Sequence, residues 1–126
     1  MPGDDGAMPE KYFTGRRVNP WVNSVQMVDA KGIRPLLLRL DPAAKSSTGF
    51  DWGHSGVGPA RLALAICAAV MNEADAQAHH QDVKAMLIAP IQSDRWTLTA
   101  DQVLSVVQAV RAARAAAKRR PRKTDR

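Results

Sequence analysis

From Pro59 to Asn72 the chain reads Pro-Ala-Arg-Leu-Ala-Leu-Ala-Ile-Cys-Ala-Ala-Val-Met-Asn, and Arg61 is its only charge. Ala60 to Asn72 is expected to be a helix, with Pro59 at its start, where the missing N–H costs nothing. Leu62, Ile66, Ala69 and Val70 make one face, while Leu64, Cys67, Ala68 and Met71 leave almost nothing polar opposite. A helix that is apolar all round must be enclosed. The run falls well short of the ~20 residues needed to cross a bilayer, so protein has to do the enclosing. In a chain of 126 residues and 13.7 kDa this implies one domain wrapped around one helix. Aromatics are only 5%, so the core must come from aliphatic side chains and three Trp.

The wrapping elements can be read on either side of that helix. Tyr12 to Val18 has strand composition and is broken by Asn19-Pro20. Val25 and Met27 alternate with Ser24 and Gln26, and Asp29-Ala30-Lys31-Gly32 is turn chemistry leading into Ile33 to Leu40, which predicts a hairpin. Pro35 lacks a ladder N–H, so it places its strand at a sheet edge or starts it later; Leu36, Leu38 and Leu40 share one face. Asp41 to Thr48 reads as a loop. A second helix is expected over Asp75 to Ile88, with Ala76, His80, Val83 and Leu87 on its apolar stripe and Pro90 ending it. Thr99-Ala100-Asp101-Gln102 has capping-box spacing and opens a third helix that Pro121 stops, with Val103, Val106, Val107, Val110 and Ala113 facing inward. Strands followed by helices predict an α+β fold, a small antiparallel sheet of two or three strands and three helices, the first of them buried. The expected division is a flexible N-terminus over 1–10, one domain over 11–110 and a basic helix end and tail over 111–126.

Charge is divided unevenly. Of the net +6, residues 111–126 carry eight basic and one acidic side chain, leaving residues 1–110 near neutral at −1. An electrostatic argument for nucleic acid therefore concerns Arg111, Arg114, Lys118, Arg119, Arg120, Arg122 and Lys123, which could neutralise phosphates. No aromatics interleave with them, which argues against a base-stacking platform. The bland alternative is a solvated end. Cys67, the only cysteine, reads as a small buried hydrophobe and suits a reducing cytoplasm. The start, with Asp4, Asp5 and Glu10 and no apolar core, does not read as a signal peptide. A membrane partner is not expected.

The most unusual stretch is Thr48-Gly-Phe-Asp-Trp-Gly-His-Ser-Gly-Val-Gly-Pro59. A ligand loop over the following helix would use Asp51, Trp52, Gly53, His54, Gly56 and Gly58. The spacing matches neither the P-loop nor the dinucleotide fingerprint, so no cofactor follows from it. The structural alternative has Phe50 and Trp52 packing inward and Asp51 bonding loop amides. Ser55, His54 and Asp51 are near neighbours in sequence, which does not make a triad. Asp75, His79 and Asp82 share a helix face, but a solvated face explains them and no metal is assigned.

Leu36-Leu37-Leu38-Arg39-Leu40-Asp41, Thr48-Gly49-Phe50-Asp51-Trp52-Gly53 and Gly56-x-Gly58-Pro59-Ala60-x-Leu62-Ala63-Leu64-Ala65-Ile66 carry a family resemblance. So do Tyr12-x-x-Gly15-x-Arg17 and Trp96-x-Leu98-Thr99. Together they resemble an uncharacterised, domain-of-unknown-function family of small bacterial, phage and plasmid proteins. The resemblance spans Lys11 to Val110 and excludes the basic tail. His54 stands where it implies a tyrosine, and the spacing around Asn19 to Asn23 departs from the pattern. No activity comes with it; it implies an accessory gene of a mobile element. The expectation is a small non-enzymatic cytoplasmic protein that contacts nucleic acid or a nucleoprotein complex through its basic C-terminus, with inhibition of a host defence complex such as CRISPR as one form. The alternatives are a small enzyme or ligand-binding domain using the Asp51–His54 loop, and a homo-oligomer pairing through Val103, Val106 and Val110.

Overall fold

Phe13, Gly15, Val25 and Leu98 are buried on one side of a sheet whose other side carries Arg16, Gln26 and Thr97, all exposed, and this alternation decides where the helices pack. The computed structural model describes residues 11–19, 22–36 and 49–119. Three strands come first: β1 (Tyr12–Asn19), β2 (Val22–Asp29) and β3 (Gly32–Pro35). Next come α1 (Val57–Val70) and α2 (Glu73–Val83), the latter continued by a π-helical turn over Lys84–Ile88. β4 (Arg95–Thr99) and α3 (Ala100–Arg119) complete the order. All pairings are antiparallel, in the spatial order β3-β2-β1-β4.

The class is α+β, but the sheet has four strands, not two or three, and it does not precede all the helices. β4 does carry a strand signal, Trp96 and Leu98 alternating with Thr97 and Thr99, but it is only five residues long. It abuts a helix cap without an intervening turn, and its partner is β1, at the far end of the domain. The β2–β3 hairpin forms as expected, Asp29 Oδ1 accepting from the Lys31 N–H at 2.8 Å in the turn. β3 stops at Pro35 and lies at the sheet edge, where a missing donor is tolerated. The β1–β2 ladder shifts register between Arg17 and Asn19, matching the irregular spacing there. Leu38, Leu40, the Asp41–Thr48 loop, Trp21, Pro121 and residues 1–10 lie outside the described residues.

α1 is enclosed as its composition requires. Pro59 and the six consecutive residues Leu62 to Cys67 are buried, against Phe13, Val25, Phe50 and Trp52 and against Val83, Ile88, Val103, Val106 and Val107. The helix starts at Val57, so Pro59 occupies its third position, still within the turn whose N–H groups have no helical partner. It stops at Val70, not Asn72; Asn72 instead caps α2, its Oδ1 accepting from the Asp75 N–H at 2.8 Å. At the sheet end, the capping box forms in both directions. Thr99 Oγ1 accepts from the Gln102 N–H at 3.0 Å, and Gln102 Oε1 accepts from the Thr99 N–H at 2.8 Å. The valine stripe considered for self-association faces the chain's own core: Val103, Val106 and Val107 are buried and Val110 packs beside them.

Two inferred positions on α2 move. His79, not His80, is buried, and Ile88, not Leu87, continues the stripe after Val83. The second shift has a local cause: the Ala89 N–H donates to the Lys84 carbonyl at 2.8 Å, five residues back, and the extra residue rotates the following side chains around the axis.

Gly15 leaves no room for a side chain. It pairs with Trp96, whose indole fills the space a side chain at Gly15 would need, and that indole meets Trp52 edge-on at 5.5 Å. Gly15→Ala is therefore expected to destabilise the protein by about 1–3 kcal/mol in urea unfolding. In a Trp96→Leu background the same change should cost measurably less. Equal costs in both backgrounds would show that the indole is not what excludes the side chain.

Candidate functional site

Arg17 is in phase with Phe13 and Gly15, so its guanidinium emerges on the inner side of β1 at the margin of the core. An inward arginine on a strand needs acceptors, and the glycine-rich loop supplies them. Arg17 Nη1 donates to Asp51 Oδ1 at 2.9 Å and to Asn23 Oδ1 at 3.2 Å, while Nη2 donates to the Trp52 carbonyl at 3.3 Å. Its Nε lies 3.3 Å from Asp94 Oδ1, and the guanidinium carbon sits 4.4 Å from the centroid of the Trp52 ring. Asn23 adds a second strap, Nδ2 donating to the Phe50 carbonyl at 2.9 Å. Phe50 and Trp52 point inward and are buried, and Trp52 Nε1 donates to the Ser93 carbonyl at 2.9 Å. The loop is thereby fastened to β1, β2 and the segment before β4.

Asp51 is the hub of the clasp. Besides Arg17, its Oδ1 accepts from the Trp52 N–H at 2.8 Å, and its Oδ2 accepts from His54 Nε2 at 2.9 Å. Because His54 Nδ1 accepts from the Gly56 N–H at 3.1 Å, the imidazole proton sits on Nε2 and both ring nitrogens are engaged within the loop. Burial pushes the Asp51 carboxyl up, but the bonds from His54, Arg17 and the Trp52 N–H, with the Arg17 charge, outweigh it and hold the group below the usual carboxylate value. The glycines serve the same geometry. Gly53 has φ +86° and donates to the Ile88 carbonyl at 3.1 Å, with no room for a side chain beside the Ile91 carbonyl. At Gly58 a side chain would lie 2.7 Å from the Asp51 Cβ, so the first turn of α1 is already faced by the chain's own carboxylate.

Asp51, Trp52, Gly53, His54, Gly56 and Gly58 are thus brought together in a loop whose polar groups bond one another. A general base needs a ring nitrogen free for substrate, and His54 has none in this arrangement. Arg17, Asn23, Ser93 and Asp94 were not singled out as partners of the loop. The inward phase of Arg17 was the one local signal for them.

The helix face holding Asp75, His79 and Asp82 turns toward α3. Arg111 Nη2 lies 3.0 Å from Asp75 Oδ1, and Arg114 Nη2 lies 3.3 Å from Asp82 Oδ1. Arg111 Nε donates to His79 Nε2 at 3.3 Å, which puts the imidazole proton on Nδ1, 3.7 Å from Asp82 Oδ2 and without a hydrogen-bond partner. Among the described residues no group of three or more His, Cys, Asp or Glu could hold a metal ion. Of the basic residues named from sequence, Arg111 and Arg114 pair with α2 and Lys118 is exposed on the last turns of α3. The Arg119 side chain and Arg120, Arg122 and Lys123 lie outside the described residues. No helix among those described is long and apolar enough to cross a membrane.

Asp51→Ala is expected to cost about 1–3 kcal/mol of stability at neutral pH, toward the low end because the carboxylate is 35% exposed. The pH dependence has a definite sign. A carboxyl whose pKa is lowered in the folded state contributes stability above its unfolded value near 4, and this is lost as pH falls through the folded value. Urea midpoints measured from pH 6 to pH 2 should fall less steeply in Asp51→Ala than in the parent. The remaining acid sensitivity includes Asp29, held at about 2 by Arg34 and the Lys31 N–H. Identical profiles would contradict the role given to Asp51.

A model of a family of unknown function, DUF6166, matches residues 13–109. No curated protein and no solved structure matches the chain. The matched span begins in β1, includes the whole clasp, and ends in α3 just before Arg111. With that much of its length matched, the chain belongs to the DUF6166 family, whose function is unknown.

Proposed function

We propose that the protein is a non-enzymatic binding protein that contacts nucleic acid, free or within a nucleoprotein complex, through the basic end of α3. One observation carries the reading. The last α3 residue packed on the core is Val110, yet the helix runs on to Arg119, and residues 111–126 hold a charge of +7. Nine further helical residues extend about 13 Å past that contact, and apart from half-buried Ala115 those from Arg111 to Lys118 are exposed. Such an extension does little for the core and presents cations to a polyanion. Among the described residues Arg114, 61% exposed, is held only by its pair with Asp82, so a phosphate can take it over at little cost, whereas Arg111 also donates to the buried His79 and is the less available of the two. The self-contained hydrogen bonding of the Asp51 loop argues against catalysis there and leaves the basic helix end as the surface for a partner. The resemblance to small bacterial, phage and plasmid proteins extends the proposal to a mobile-element accessory protein, whose target could be a host complex such as CRISPR.

Fluorescence anisotropy across a salt series tests this, with labelled duplex DNA, single-stranded DNA and RNA. Truncation after Ala117 removes Lys118, Arg119, Arg120, Arg122, Lys123 and Arg126. If all six contact duplex phosphates, the log–log salt slope should fall by about five units and affinity should drop steeply. Binding that the truncation leaves unchanged, or an absence of binding by the full chain at low salt, would overturn the proposal.

A further inference from the structure

Among the described residues no helix covers the outer face of the sheet, and its centre is polar and cationic. On β1 the outward side chains include Thr14 and Arg16; across β2 they meet Gln26 and Ser24, and across β4 they meet Thr97 and Arg95. These six border a shallow depression of about 460 Å³. Arg16 and Arg95 are directly opposed in the β1–β4 register, and both are exposed. Among the described residues neither guanidinium has a carboxylate partner, and no outward position in these pairings is acidic. The other strand arginines do have partners: Arg17 has Asp51 and Arg34 has Asp29. Like charges placed opposite one another in a ladder repel, and nothing in the core requires them here. What relieves such a pair is an anion lying across both strands. The surrounding hydroxyls and amide are neutral donors suited to phosphate oxygens, as two guanidinium forks are.

We infer that this sheet face is a second contact surface for nucleic acid, with Arg16 and Arg95 gripping adjacent phosphates of the sugar–phosphate backbone and Thr14, Ser24, Gln26 and Thr97 bonding beside them. The inference rests on the nucleic-acid reading of the basic helix end and adds a site to it. Gly15 and Trp96 complete the lining, but the register puts the Trp96 indole on the inner side of the sheet against Trp52, so the face grips the backbone without stacking bases and is indifferent to sequence.

The test measures anisotropy of a labelled 20-nucleotide single strand and of its duplex on the full chain, the chain truncated after Ala117, and each of these with Arg16→Gln and Arg95→Gln. Both side chains point to solvent, so the pair of substitutions should leave the melting temperature unchanged or slightly higher; thermal unfolding checks this. A control with Lys31→Gln and Arg61→Gln removes equal charge elsewhere. The expected result is at least a tenfold loss of affinity on the full chain, with the duplex salt slope smaller by about two units. The truncated chain should keep weak binding that the same substitutions abolish, and the control should show neither effect. If truncation removes all binding and the arginine substitutions change nothing, or if the control loses as much, the sheet-face site is overturned while the helix-end reading stands. Binding lost with the arginines but indifferent to truncation supports the face and overturns the helix-end reading. No binding by the full chain overturns both.

Discussion

The requirement that the middle of α1 be hidden organises the molecule. With Leu62 to Cys67 all buried, the sheet must cover one side of the helix and α2, the π-helical turn and α3 the others. Each end of α1 then has to be joined to the shell. Lys11 Nζ donates to the Ala69 carbonyl at 2.8 Å, placing a cation at the C-terminal end of the helix. At the other end the approach is a loop rich in glycine, and the Arg17–Asp51 clasp holds it. Burial also explains Cys67: its thiol is pushed up to about 12 by loss of solvent, with the Asp82 charge adding to the effect, which makes it packing material and not a nucleophile.

The clasp and the open sheet face illustrate one rule with opposite outcomes. Arg17 and Arg16 are neighbours on one strand, so alternation sends one inward and the other out. The inward arginine is met by Asp51, Asn23, Asp94, a carbonyl and the Trp52 ring, and its charge is spent on fastening the loop. The outward one faces Arg95 and no acid. A similar division runs along α3. Arg111 and Arg114 are drawn to α2, whereas Lys118, a turn further on, is exposed.

Much of this architecture is local and could be read from sequence. Enclosure of α1, the Asp29–Gly32 turn, the Thr99–Gln102 box and inward packing of Phe50 and Trp52 each follow from residues close together in the chain. What escaped depends on partners far apart. β4 becomes a strand because β1 offers a free edge, and the Arg17–Asp51 pair spans a separation no periodicity reports. The π-helical turn defeats a strict 3.6-residue pattern, which puts Leu87 where Ile88 lies. At His79 and His80 either imidazole fits the spacing, and the choice falls to His79, against Arg111 of α3. Asp51 to Gly58 stand out in the sequence as a group. Their chemistry was not decidable until Arg17 and Asn23 were known to fill it.

The glycine-rich loop is a structural clasp, and the two basic surfaces proposed for a partner lie elsewhere. Chemical-shift mapping by nuclear magnetic resonance tests that division most directly, with ¹⁵N-labelled full-length protein titrated with a short DNA duplex. The account predicts shifts concentrated at Lys118 and the basic end beyond it and at Thr14, Arg16, Ser24, Arg95 and Thr97 on the sheet, with Asp51 to Gly58 unmoved. Perturbation centred on Asp51, His54 and the Gly56 and Gly58 amides would contradict it and make the loop the binding site.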